Sequence, residues 1–149
     1  MNLSNVTGTG AALGTTSATG TIQNDDATAV SIAALTATQS EGNTGTKDFT
    51  FTVSLNNPSV FTTTVLVNTA DGTATTADGD YVAITSGTLT FGAGATSGPL
   101  SVTVNGDLRN EANEVFYMNL SAPSNATIAD NQGVGTITND DPPPSLSVN

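Results

Sequence analysis

Through the middle of the chain, apolar and polar residues alternate with a period of two. Phe49, Phe51, Val53 and Leu55 fall on one side of an extended segment, and Thr50, Thr52 and Ser54 fall on the other, the pattern of a strand with one buried face. Similar runs rich in Thr and Val span Val30 to Leu35, Thr64 to Thr69, Thr88 to Phe91, Leu100 to Val104, Val115 to Leu120, Ala126 to Ala129 and Val134 to Thr138. No segment places apolar residues at helical spacing. Between the runs stand Glu41-Gly42-Asn43, Asn56-Asn57-Pro58, Asp71-Gly72, Asp78-Gly79-Asp80, Gly92-Ala93-Gly94 and Asn105-Gly106-Asp107, all suited to tight loops. Short strands at this spacing predict an all-β fold, a β-sandwich of Greek-key type.

The ends of the chain repeat each other. Met1-Asn2-Leu3-Ser4 reappears as Met118-Asn119-Leu120-Ser121, and Gly20-Thr21-Ile22-Gln23-Asn24-Asp25-Asp26 resembles Gly135-Thr136-Ile137-Thr138-Asn139-Asp140-Asp141. An extended Val30-Ser31-Ile32 follows the first acidic pair and Leu146-Ser147-Val148 the second. The pattern predicts that residues 1–26 are the last strands of a preceding repeat, 27–141 a complete repeat and 142–149 a Pro-rich linker with the first strand of a next repeat. Met1 is then not expected to be a natural start. A half repeat cannot bury its apolar face alone, so its missing strands come either from neighbouring repeats of a longer array or from copies of the chain that exchange strands in a homo-oligomer or filament. Pro142-Pro143-Pro144 favours a stiff, extended connection in both cases.

Composition narrows the function. The 149 residues suit one domain. Thirteen Asp and Glu stand against two Lys and Arg, giving a net charge of -11, which repels phosphate backbones and anionic lipid and so speaks against nucleic acid as a partner. No apolar run approaches the roughly 20 residues that cross a bilayer, so no membrane insertion is expected. The chain has no His and no Cys, which removes the usual general base, thiol nucleophile and zinc ligands. Glu111 and Glu114 as a glycosidase pair lack the aromatic platforms of a sugar cleft, since aromatic residues are 5% of the chain and Trp is absent. No enzyme activity is expected.

The carboxylates carry the remaining chemistry. Glu41, Asp80, Asp107, Glu111, Glu114, Asp140 and Asp141 sit in or beside loops, and the loops of a sandwich gather at its two ends. Carboxylates held close together repel one another unless a cation neutralises them, and Lys47 and Arg109 are the only basic side chains. Oxygen ligands on flexible loops point to calcium over zinc or copper. Asp25, Asp48, Asp78 and Asp130 read as ordinary solvated residues, and Asp71 as a turn former.

In their order along the chain, Ser40-Glu41-Gly42, Asp71-Gly72-Thr73-Ala74 leading to Gly79-Asp80-Tyr81, Ser86-Gly87-Thr88-Leu89-Thr90-Phe91, the Asp107 to Glu114 loop, and Gly135-Thr136-Ile137 before Asn139-Asp140-Asp141 resemble the Calx-beta domain. That family occurs in sodium-calcium exchangers, an integrin subunit and large bacterial surface proteins, and the resemblance spans about residues 28–141. It implies an immunoglobulin-like Greek-key sandwich of the Calx-beta type with calcium at one end. The matching ligand positions are Glu41, Asp80, Asp107, the carbonyl of Arg109, Glu111, Glu114, Asp140 and Asp141. Gly106 and Asn139 depart from the family, standing where calcium-binding members often carry Asp, which implies weak affinity, roughly 10⁻⁴ to 10⁻³ M. The resulting expectation is a noncatalytic structural repeat, extracellular or at a bacterial cell surface, that binds calcium and stiffens a tandem array or fibre. The alternatives are a filament subunit assembled by strand exchange with little calcium dependence, and a cell-adhesion module.

Overall fold

In the computed structural model the described residues are Gly8, 17–34 and 38–148. Among them are β1 (Ala29–Ala34), β2 (Thr38–Ser40), β3 (Thr46–Leu55), β4 (Thr63–Asp71), β5 (Gly87–Phe91), β6 (Ser97–Asn105), β7 (Glu114–Ser124), β8 (Thr127–Ile128) and β9 (Gln132–Thr138), with no helix. They form two sheets, in the orders β6-β3-β1-β8 and β2-β9-β7-β4-β5. The sheets pack face to face as an immunoglobulin-like sandwich, the all-β architecture expected from the alternation.

The alternating residues of β3 face inward as read from the sequence: Phe49, Phe51, Val53 and Leu55 are all buried. Phe49 and Phe51 meet Phe116 of β7 from the opposite sheet, with ring centroids 5.9 and 6.1 Å away. Tyr81, on the loop after β4, stacks on the same ring at 4.8 Å. Phe116 is thus the point where both sheets and one loop converge, and tilted or offset ring pairs add to the burial energy. The ring also explains Gly135 on neighbouring β9, because a Cβ there would strike Phe116.

Two strand readings change. The run Val30 to Leu35 becomes β1 as far as Ala34, with Leu35 outside the described residues, and the unpredicted β2 then joins the other sheet. Three residues of Thr, Gln and Ser show no apolar alternation; what holds β2 is its parallel ladder with β9, Thr38 to Thr136 through Ser40 to Thr138. Strand β6 begins earlier than Leu100 and takes in Pro99, which pairs with Thr52. Its position at the sheet edge makes this possible, since Pro has no N–H to give to an outer neighbour.

The described parts of the end segments form none of the named strands of the sandwich. Residues 18–28 carry no strand and Ile22 is 97% exposed, although its sequence counterpart Ile137 is buried in β9. Residues 1–7 and 9–16, the rest of the segment read as closing strands of a preceding repeat, fall outside the described residues. Residues 142–148 also carry no strand, and Leu146 and Val148 are exposed.

Candidate metal centre

Strand pairing brings distant acids to one end of the sandwich. The parallel β2–β9 ladder ends at Ser40 and Thr138, so Glu41 and Asn139-Asp140-Asp141 leave the sheet side by side. The antiparallel β3–β6 ladder pairs Thr46 with Asn105, setting the loop after Glu41 beside Asp107. Strand β7 opens at Glu114, which pairs with Ile137 of β9, so the 106–113 loop returns to the same end. Asp80 is fixed there by an Asn105 N–H donating to its carbonyl, 2.9 Å, and by a Thr75 N–H donating to its Oδ2, 2.7 Å.

Two triads result: Glu41 with Asp140 and Asp141, and Asp80 with Glu111 and Glu114, each offering carboxylate oxygens within 4.8 Å of one another. Glu41, Asp80 and Asp141 are buried. Burial, then the charges of Asp107, Glu111, Asp141 and Asp140, raises the Glu41 carboxyl from 4.5 to about 7. Glu114 also rises to about 7, through burial, then Asp80, Glu111 and Glu41. Glu111 acts on both glutamates and Glu41 acts on Glu114, so the two triads form one electrostatic unit. Arg109 Nη1 pairs with Glu111 Oε1 at 3.1 Å, but its side chain is 60% exposed and its contribution is correspondingly small. Lys47 Nζ donates to the carbonyl and hydroxyl of Ser40, at 2.8 and 3.1 Å.

One atom tests whether a cation fits. Asp141 is 4% exposed; its Oδ1 accepts from Asn43 Nδ2 at 2.6 Å, while its Oδ2 is buried without a hydrogen-bond partner. A buried carboxylate oxygen left unpaired among other acids is costly, and a hard cation would remove that cost. The donors are all oxygens, which selects against thiophilic metals.

The Calx-beta domain profile matches residues 23–141. The chain belongs to the Calx-beta domain family. Among solved structures it is similar to the apo-form Calx CBD1 domain, with 24% identity over 78% of this chain and 100% of that one, and a TM-score of 0.68. It is also similar to CBD12 from CALX1.2, with 24% identity over 76% and 44% of the two chains and a TM-score of 0.66. A third similar structure is the calcium binding domain CBD12 of CALX1.1, with 25% identity, 75% and 46% coverage and a TM-score of 0.64. The chain therefore spans less than half the length of either CBD12 chain. A search of curated protein sequences finds no match.

In this Calx-beta domain six of the eight expected site residues, Glu41, Asp80, Glu111, Glu114, Asp140 and Asp141, fall in the two triads. Asp107 lies beside them, close enough to raise Glu41, and its Oδ1 accepts from the Arg109 N–H at 2.7 Å. Arg109 directs its side chain to Glu111. The two departures from the family pattern have structural occupations. Gly106 packs so closely on the Gly42 carbonyl that a Cβ would collide with it. Asn139 accepts from the Glu111 N–H at 3.2 Å and donates to the Asp141 carbonyl at 2.9 Å, a donation that Asp could not make.

Sequence reasoning missed the amides that position the acids. Asn43 holds Asp141, and Asn110 donates to the Asp141 carbonyl at 2.7 Å. Asp71, read as a turn former, does more: its Oδ1 accepts from Tyr81 Oη at 2.6 Å and from the Thr76 N–H at 3.2 Å, bracing the loop that carries Asp80. Burial first, then this hydrogen bond, pushes the Tyr81 phenol up to about 12. Asp48, Asp78 and Asp130 are exposed; Asp48 accepts from Thr103 on the neighbouring strand, and Asp78 and Asp130 are bonded locally to Thr75 and Gln132.

Proposed function

We propose that this Calx-beta domain is a noncatalytic structural repeat that binds calcium at Glu41, Asp80, Asp107, the Arg109 carbonyl, Glu111, Glu114, Asp140 and Asp141, and so stiffens a tandem array. The observation that carries the proposal is the buried, partnerless Oδ2 of Asp141 in one of two carboxylate triads whose charges act on each other. Calcium suits such a set, supplying positive charge to six to eight oxygens at roughly 2.3–2.6 Å. Asp140 also accepts from the Gly42 N–H at 3.1 Å, so the closing residues are already tied to the first loop. A cation shared by Glu41, Asp140 and Asp141 adds a second link to that tie and fixes the direction in which the chain leaves at Pro142.

The extracellular, bacterial setting rests on the occurrence of the Calx-beta family in large bacterial surface proteins, and the noncatalytic role on the absence of His and Cys. No described helix is long and apolar enough to cross a membrane. The test is calorimetric calcium titration of the chelator-treated chain. Saturable heats that vanish in Asp141→Ala are expected; flat heats in the unmodified chain would overturn the proposal.

A second reading, strand exchange between copies, draws on exposed Ile22, Leu146 and Val148, apolar residues in end segments whose counterparts lie within strands. It predicts concentration-dependent oligomers, and a chain that stays monomeric at high concentration would end it.

A further inference from the structure

The end of the sandwich opposite the acids has its own construction. Strand β3 runs from Thr46 beside the acidic loops to Leu55, which pairs with Val30 at the start of β1. The loop after Leu55 exposes Val60, at 82%, and Phe61, at 66%. They line a cleft of about 520 Å³ together with Pro58, Asn125, Asn24 and Asp26. The incoming chain is clamped: Asn56 Oδ1 accepts from the Ala29 N–H at 2.6 Å, and the Asn56 and Asn57 amides donate to the Ala27 carbonyl at 3.3 and 3.0 Å.

We propose that this loop, centred on Val60 and Phe61, is the docking surface for the acidic end of the preceding repeat. The proposal rests on the tandem-repeat reading above and adds the surface that joins the repeats. Covalent geometry supports it. Asn24-Asp25-Asp26 corresponds to Asn139-Asp140-Asp141, and only Ala27 and Thr28 separate Asp26 from Ala29. At about 3.3–3.6 Å per residue, the preceding repeat's closing aspartate lies within roughly 10 Å of β1. In the complete repeat Asn110 is bonded to the equivalent Asp141, and Leu108, two residues before it, is 71% exposed. Each repeat therefore carries an exposed apolar residue on its acidic loop and an exposed apolar pair at the opposite end, and the short clamped linker brings the two kinds of end together. Such a head-to-tail contact joins unlike surfaces and propagates along an array.

The test uses the chain with residues 1–26 replaced by residues 27–141 of a second copy, so that Asp141 precedes Ala27 as Asp26 does. Among the described residues every buried apolar core residue lies between Val30 and Ile137, so each copy carries that core. The chain has no Cys, so Leu108→Cys in the first repeat and Phe61→Cys in the second give one thiol pair for a short bismaleimide. The control pairs Leu108→Cys with Val134→Cys, a partly exposed position on β9. Docking predicts cross-linking about tenfold faster for the first pair, as proximity raises effective concentration. Equal rates, or no cross-link in either pair, would overturn the proposal. Calcium titration of the same chain is read separately: flat heats with a retained rate difference would end the calcium reading and leave the docking surface standing.

Discussion

Stability of the metal-free chain should fall as pH rises from 5 to 8, and calcium should reverse that fall. Glu41 moves from 4.5 to about 7 on folding, so between those values the native state holds a proton that the unfolded state has released. The stability this supplies is fully present below pH 4.5 and is lost as pH climbs through 7. A shift of that size corresponds to about 3 kcal/mol at most. Glu114 moves in the same direction over the same window. The general repulsion of a chain at net charge -11 also grows with pH, so the variant Glu41→Gln is needed to isolate the site. Glutamine imitates the protonated form, and in urea unfolding without metal it should stabilise the protein by about 1–3 kcal/mol at pH 8 and leave it unchanged at pH 4. At pH 8, calcium at a hundredfold excess over its Kd should add about 2.7 kcal/mol to the unmodified protein, near 10 °C in Tm, with little gain at pH 4.5. A metal-free chain at least as stable at pH 8 as at pH 5, or Glu41→Gln without effect at pH 8, would refute the reasoning.

Tyr81→Phe removes the hydroxyl that braces Asp71 and should cost about 1–2 kcal/mol in denaturant unfolding; a loss of calcium affinity in calorimetry should accompany it, because Asp80 is the adjoining residue. Arg109→Gln takes the guanidinium off Glu111, and calorimetry should show calcium binding about two- to fivefold tighter. Gly106→Asp places a Cβ against the Gly42 carbonyl, so a lower Tm with no gain in calcium affinity is expected, even though an acid is added to the loop.

The sandwich was legible because its longer strands, β3 above all, have one wet and one dry face. Phe49 through Leu55 alternate without a break, and the burial of those four apolar residues follows directly. Strand β2 was not legible, since Thr38, Gln39 and Ser40 have no apolar side chain and depend wholly on their partner β9. Pro99 concealed the start of β6, because whether proline is tolerated in a strand depends on edge position, which local sequence does not encode. The acids could be named from their loops, but not their division into two triads. That division comes from which strands end together, as Ser40 with Thr138 and Thr46 with Asn105.

The unpredicted strand also explains why the acids can be held so close. Glu41, at one edge of its loop, would be free to swing away from Asp140 and Asp141 if the chain after β1 merely crossed the sandwich end. The β2 ladder prevents this by pinning Ser40 to Thr138, and Lys47 adds a second anchor through the Ser40 carbonyl and hydroxyl. One of the two basic side chains is thereby spent on holding the backbone that carries Glu41 and not on neutralising its carboxylate. A protein that only needed to relieve acid repulsion would gain more from the opposite choice. Backbone restraint beside unneutralised, buried carboxylates is preorganisation for a cation: the cost of gathering the charges is met by the fold, and binding then returns it as stability of the whole end of the sandwich.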